Sequence, residues 1–82
     1  MTKHRPSDER REQIALAALE IAGAEGYNAL SMAAVARRTG LVPSAIYRHF
    51  DGKEQMLIAA IELIPTLRLR RLAEIAVREP SP

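Results

Sequence analysis

Between residues 14 and 22 the chain places Ile14, Ala17, Ala18, Ile21 and Ala22 at the spacing of a single helical face. Ser7 is a suitable N-cap for this helix, with Asp8 and Glu9 in a first turn where the helix dipole favours acids. Gly26 predicts its end. Leu16 and Leu19 fall off the stripe, so the helix is either buried on two sides or carries an exposed apolar spot. Tyr27 follows with a ring free to fold back on the core. The next stretch, SMAAVARRTG, predicts a short helix capped by Ser31 and ended by Gly40. Met32, Val35 and Ala36 face inward and Arg37 and Arg38 outward. A helix of about two turns is not stable alone, so tertiary contacts must hold it. The small residues Ala33, Ala34 and Ala36 let another helix come close.

The stretch LVPSAIYRHF, residues 41–50, predicts a third helix. Pro43 suits its first position, where the missing N–H costs nothing. Over residues 44–50, Ile46 and Phe50 share one face, while Tyr47 lies on another side one turn beyond Ser44. The run DGKE reads as a capping box, with Asp51 as cap and Glu54 at the third helical position. Met56, Leu57, Ala60, Ile61 and Ile64 make the buried stripe of the fourth helix, and Pro65 interrupts it. Leu69, Leu72, Ala73 and Ala76 outline a fifth amphipathic helix, supported by Arg70–Glu74 and Glu74–Arg78 at i, i+4 spacing. The expected fold class is all-α, with a core of Ile14, Ala18, Ile21, Tyr27, Val35, Ile46, Phe50, Leu57 and Ile61.

Composition narrows the function. A chain of 82 residues fits one small domain with a thin stability margin. It has no cysteine, hence no disulfide framework and no thiolate metal site. The two histidines, His4 and His49, lack such partners, so no metal and no cofactor is expected. The charged N-terminus is not of signal-peptide type, and the apolar run 56–61 is too short to span a bilayer. No catalytic residues are expected: Ser44 and His49 lie close together on a short helix, with only Asp51 as a third partner.

Net charge is only +2, but it is unevenly spread. From Gly26 to Phe50 there is no acid, while Arg37, Arg38, Arg48 and His49 lie in that window and Lys53 just after it. The plain reading is a solvated face; the sharper one is an electrostatic footprint for a polyanion. Two short helices joined by a Gly-containing turn in such a window are the signature of a helix-turn-helix, here residues 31–50. The second helix of that motif enters the DNA major groove, about 12 Å wide, and leads with compact side chains such as Val42, Pro43 and Ser44.

Over roughly residues 9–64 the chain resembles the DNA-binding part of the TetR family of transcriptional repressors. The likeness rests on RREQIALAALEIAGAEGY and LSMAAVARRTGLVPSAIYRHFDGKEQML, with the run GLVPSAIYRHFDGKE the most specific. The resemblance implies a homeodomain-like three-helix bundle plus a fourth helix. It also implies that Ser31 contacts a phosphate, and that Val42, Pro43 and Ser44 face base edges or nearby phosphates. Tyr47, His49 and Lys53 match contacts to the DNA backbone, and Phe50 matches a core aromatic. Arg37 and Arg38 are either phosphate contacts or solubility charges, and Arg48 lies near the DNA without a defined contact. Ala33 departs from members with a longer polar reader there, which shifts specificity toward Val42, Pro43, Ser44, the N-terminal arm and DNA shape.

The expected organisation is a basic arm at 1–6, a DNA-binding domain at 7–64, and the start of a C-terminal helical region at 65–82. Family members continue into a larger helical domain that binds a small-molecule effector and dimerises. With the chain ending at Pro82, no effector pocket is expected, and a homodimer on a palindromic operator is expected in a full-length context. The expected location is the bacterial cytoplasm, at the nucleoid, with no membrane partner. The rival from another class is a helical protein-interaction module that uses the apolar residues of helices 1 and 5.

Overall fold

The computed structural model describes residues 6–78, and every regular element in it is helical. Helix α1 spans Pro6–Glu25, a short 3₁₀ turn spans Tyr27–Ala29, and α2, α3 and α4 span Met32–Thr39, Pro43–Tyr47 and Lys53–Arg78. The arm residues Lys3, His4 and Arg5, and the tail 79–82, lie outside the described residues. The described part of helix α1 already includes Pro6, one residue before the expected Ser7 cap. Proline's fixed φ and missing donor make Pro6 a natural first residue.

The core is built where α1 packs on α2 and α4, and α2 in turn packs on α3. Ile14, Ala18, Ile21, Val35, Ile46, Phe50, Met56 and Ala60 are buried in one cluster, and Leu57 packs against it from a half-buried position. Both off-stripe leucines of α1 are half-buried. Leu19 packs on the core, and Leu16 lines a surface groove with Glu9, Glu12, Gln13 and Arg70. Ala15, outside the expected set, is buried where α1 passes Ala59 and Leu63 of α4. A methyl side chain lets two helices approach closely there.

Leu30 is another core residue that the apolar period does not reveal. It stands just before the Ser31 cap, and Val35 is the fourth residue of α2, so the buried pair forms a hydrophobic staple across the helix start. Tyr27, by contrast, is not core: it is 43% exposed. Gly26, at φ 94°, turns the chain sharply, and the 3₁₀ turn carries Leu30 into the interior place that Tyr27 was expected to take.

Two further expectations fail in α4. The helix proper starts at Lys53, and its first turn closes with the Met56 amide donating to the Gly52 carbonyl, one residue beyond the expected Asp51 cap. There is also no separate fifth helix, because α4 runs unbroken through Pro65. Proline removes one donor and crowds the carbonyl four residues back. That carbonyl belongs to Ile61, and both residues are exposed, so water can satisfy it. The flanking Leu, Arg, Ala and Glu residues favour helix on both sides.

Ile61 was expected in the core and is 53% exposed. At about 1.5 Å per residue, the 26 residues of α4 extend about 39 Å. Arg70 already pairs with Glu12, only two turns from the start of α1, and the helix continues past it. Beyond Ala60 no described residue is fully buried.

Candidate nucleic-acid interface

Local sequence chemistry sets both ends of α2. The Ser31 hydroxyl accepts from the Ala34 amide at 3.0 Å, satisfying one of the free donors of the first turn. Its own O–H is still able to donate outward from an exposed position. At the other end Gly40 adopts φ 74°, a left-handed conformation in which a side chain is strained. The Gly40 and Leu41 amides both reach the Ala36 carbonyl, and half-buried Leu41 packs on the core. This turn directs the chain from α2 into α3.

Helix α3 is a short helix of five residues. Val42 caps it in extended conformation and Pro43 takes the first position. The regular helix closes at Tyr47, earlier than the expected 44–50 span, and helical bonding continues from the Arg48, His49 and Phe50 amides to Ser44 and Ile46. Ile46 and Phe50 are buried, as their shared face required. Val42 is 64% and Tyr47 55% exposed, and Pro43, Ser44 and Arg48 are exposed as well. Val42 and Tyr47 thus present an apolar and an aromatic side chain to solvent on a helix without acids.

A contact from α1 that apolar spacing could not indicate fastens the end of α3. The Arg11 guanidinium donates to the His49 carbonyl at 3.0 Å and lies 4.3 Å from the centre of the Phe50 ring. It therefore satisfies a carbonyl just past the helix end and covers the outer face of the core aromatic. His49 itself is half-buried.

The remaining expected site residues divide. Lys53, at the start of α4, places its Nζ 3.4 Å from the Tyr27 carbonyl and 4.1 Å from the Tyr27 ring centre. That contact joins the start of α4 to the turn leading into Ser31. Arg37 and Arg38 are exposed but lie toward α1, in a depression shared with Ile21, Glu25, Ala29 and Ala34. Arg38 pairs with Glu20 at 3.3 Å. Ser31, Val42, Pro43, Ser44, Tyr47 and Lys53 thus lie on α3 and at the starts of α2 and α4, whereas Arg38 pairs with an acid of α1 and Arg37 shares a depression with Glu25.

Away from this surface, the guanidinium of Arg70 meets the Glu12 carboxylate through both of its terminal nitrogens. The hydrogen bond and charge of Glu12 raise the Arg70 pKa above its ordinary value. Among the described residues no helix is long and apolar enough to cross a membrane.

A family model described as bacterial regulatory proteins, tetR family, matches residues 14–60, from mid-α1 into α4 and over more than half of the chain. The chain belongs to the TetR family. What it carries is that family's helix-turn-helix DNA-binding domain. Several of its relatives are named as HTH-type transcriptional regulators, a class of DNA-binding proteins rather than enzymes. The HTH-type transcriptional activator FasR of Mycolicibacterium smegmatis is 37% identical over 57 residues, 70% of this chain and 26% of that protein. The HTH-type transcriptional repressor KstR of the same species is 42% identical over 53 residues, 65% of this chain and 26% of that protein. The nucleoid occlusion factor SlmA of Vibrio vulnificus is 30% identical over 79 residues, 96% of this chain and 40% of that protein. The chain therefore spans a quarter to two fifths of the length of these relatives. No solved structure is a significant match.

Proposed function

We propose that this chain reads a specific double-stranded DNA operator with α3 in the major groove and represses transcription by occupying it. The observation that carries the reading is the two-sidedness of α3: Ile46 and Phe50 are buried, while Val42, Ser44 and Tyr47 face solvent on an acid-free helix. In this reading Val42, Pro43 and Ser44 meet base edges, and Ser31, Tyr47, His49 and Lys53 meet the backbone. Arg48 adds positive charge beside them. Arg37 and Arg38 act mainly as surface charge, consistent with their position beside Glu20 and Glu25. Relatives are named both as repressors and as an activator, so their names support regulation of transcription, and the proposed direction rests on operator occupancy. The site of action is the chromosome in the bacterial cytoplasm. In the full-length context we propose a homodimer on a palindromic operator, its half-sites about 34–36 Å apart. Effector control belongs to that longer architecture.

Selection of bound duplexes from a random DNA pool at defined salt tests this reading. The expected result is a palindromic consensus, and an affinity that falls with salt at a slope of roughly −0.9 per phosphate neutralised. Tyr47→Phe should weaken all sequences alike, whereas Ser44→Ala should change which sequences are selected. A chain with no DNA affinity at low salt would favour the interaction module instead. The observation supporting that second reading is the exposed apolar run of Leu69, Leu72, Ile75 and Val77 on α4.

A further inference from the structure

Tyr27 is a large aromatic residue that is neither buried nor on the reading helix. Among the described residues its ring engages Lys53. The ammonium lies 4.1 Å from the ring centre and 3.4 Å from the residue's own carbonyl oxygen. The carbonyl also accepts from the Leu30 amide at 3.0 Å, closing the 3₁₀ turn, so the acceptor is held by backbone structure. Lys53 is the first residue of α4 and is half-buried. A lysine at a helix start is ordinarily a long, flexible chain with many rotamers. Here two groups on a different element define where its charge sits.

We infer that Tyr27 is a positioning residue for DNA binding, holding the Lys53 ammonium ready for a backbone phosphate. The inference rests on the reading of Lys53 as a phosphate contact. An ammonium has three N–H donors. The carbonyl takes one, the ring face attracts the charge without using a lone pair, and donors remain for phosphate oxygens. Because the rotamer freedom of Lys53 is already restricted in the free protein, less ordering remains to be done on binding. The same contact fixes the start of α4 relative to the turn before Ser31, so the spacing between two proposed phosphate contacts is set before DNA arrives.

A double-mutant cycle on the full chain tests the tether. The probe is a labelled mixed-sequence duplex titrated across a salt series, because a phosphate contact needs no particular sequence. Tyr27→Leu removes the ring and should weaken binding about two- to fivefold, the scale of an exposed cation–π contact. Tyr27→Phe keeps the ring and should bind like the parent, which separates the ring from any hydroxyl contact with DNA. Lys53→Ala should lower the salt slope by about 0.9, one phosphate. Adding Tyr27→Leu to Lys53→Ala should then change nothing further. Should Tyr27→Leu cost as much without Lys53 as with it, the tether is wrong. If Lys53→Ala binds as the parent does, the reading of Lys53 itself falls. Independently of any variant, the Lys53 Cε protons in the free protein should resonate upfield of free lysine because of the ring current. Ordinary shifts there would overturn the tether even if Tyr27→Leu failed to fold.

Discussion

The two ends of α4 follow the same helical geometry but are held by different forces. From Lys53 to Ala60 the helix turns Met56 and Ala60 into a core shared with Ile14, Val35, Ile46 and Phe50. From Ile61 onward it exposes Ile61, Leu69, Leu72, Ile75 and Val77. The first part is helical because burial rewards it, and the same burial holds α2 and α3, which are too short to persist alone. Past Leu63, which still packs on the core, the distal part depends on backbone bonding and helix-favouring residues. Surface charges add the Arg71–Glu74 pair at 3.5 Å and the Arg70–Glu12 pair to α1. Equal hydropathy therefore does not imply equal burial. Leu72 and Met56 are both apolar, but only Met56 has neighbouring elements around it.

The sharpest way to break this contrast is to truncate one side chain in each part. Phe50→Ala should cost ~3–5 kcal/mol, because it empties a buried site and removes the ring under Arg11. Leu72→Ala should change stability by less than about 0.5 kcal/mol. Urea unfolding followed by circular dichroism measures both. A loss at Leu72 comparable to that at Phe50 would mean that the distal helix belongs to the core.

A smaller effect is expected at the start of α2. Ser31→Ala should cost about 1 kcal/mol through the lost cap to the Ala34 amide. Ser31→Asp should keep the cap, since a carboxylate accepts the same bond, while weakening DNA binding by bringing negative charge toward phosphate. Thermal melting and duplex titration of the two variants separate the structural from the proposed functional role. Loss of stability in Ser31→Asp equal to that in Ser31→Ala would deny the cap its weight.

The smallest global effect belongs to the distal pair. Arg70→Met should leave the unfolding midpoint nearly unchanged, because exposed ion pairs are weakly stabilising and screened by salt. It should nevertheless speed hydrogen exchange of the amides at 71–78, at low salt more than at high salt. Unchanged exchange there would show that the helix end does not rely on its contact with α1.

Much of the helix-turn-helix was legible because its signals are local. Ser31 acts through its hydroxyl on the Ala34 amide, Gly40 through its left-handed backbone and Pro43 through its fixed φ and missing donor, and the structure has all three in the expected roles. Ile46 and Phe50 were legible from their four-residue spacing. Leu30 could have been found from its place before Ser31, with Val35 as the other half of the staple. Tyr27 and Ile61 were misplaced because an apolar side chain carries no record of where its neighbours end. Pro65 predicts a break because its local cost is real, although a single exposed carbonyl without its helical donor does not stop a long helix. The Arg11–His49 and Lys53–Tyr27 contacts join residues 38 and 26 positions apart, beyond the reach of any periodic pattern.

The sequence by itself determined the helical class, the caps and turn of the reading motif, its acid-free charge and its family, all of which are written in residue types at short spacing. Only the tertiary structure decided that Leu30 rather than Tyr27 enters the core, that one helix runs from Lys53 to Arg78, and that cations of α1 and α4 engage Phe50 and Tyr27. The physical reason is that caps and turns depend on bonds within a few residues, whereas burial and long side-chain contacts depend on which surfaces packing brings together.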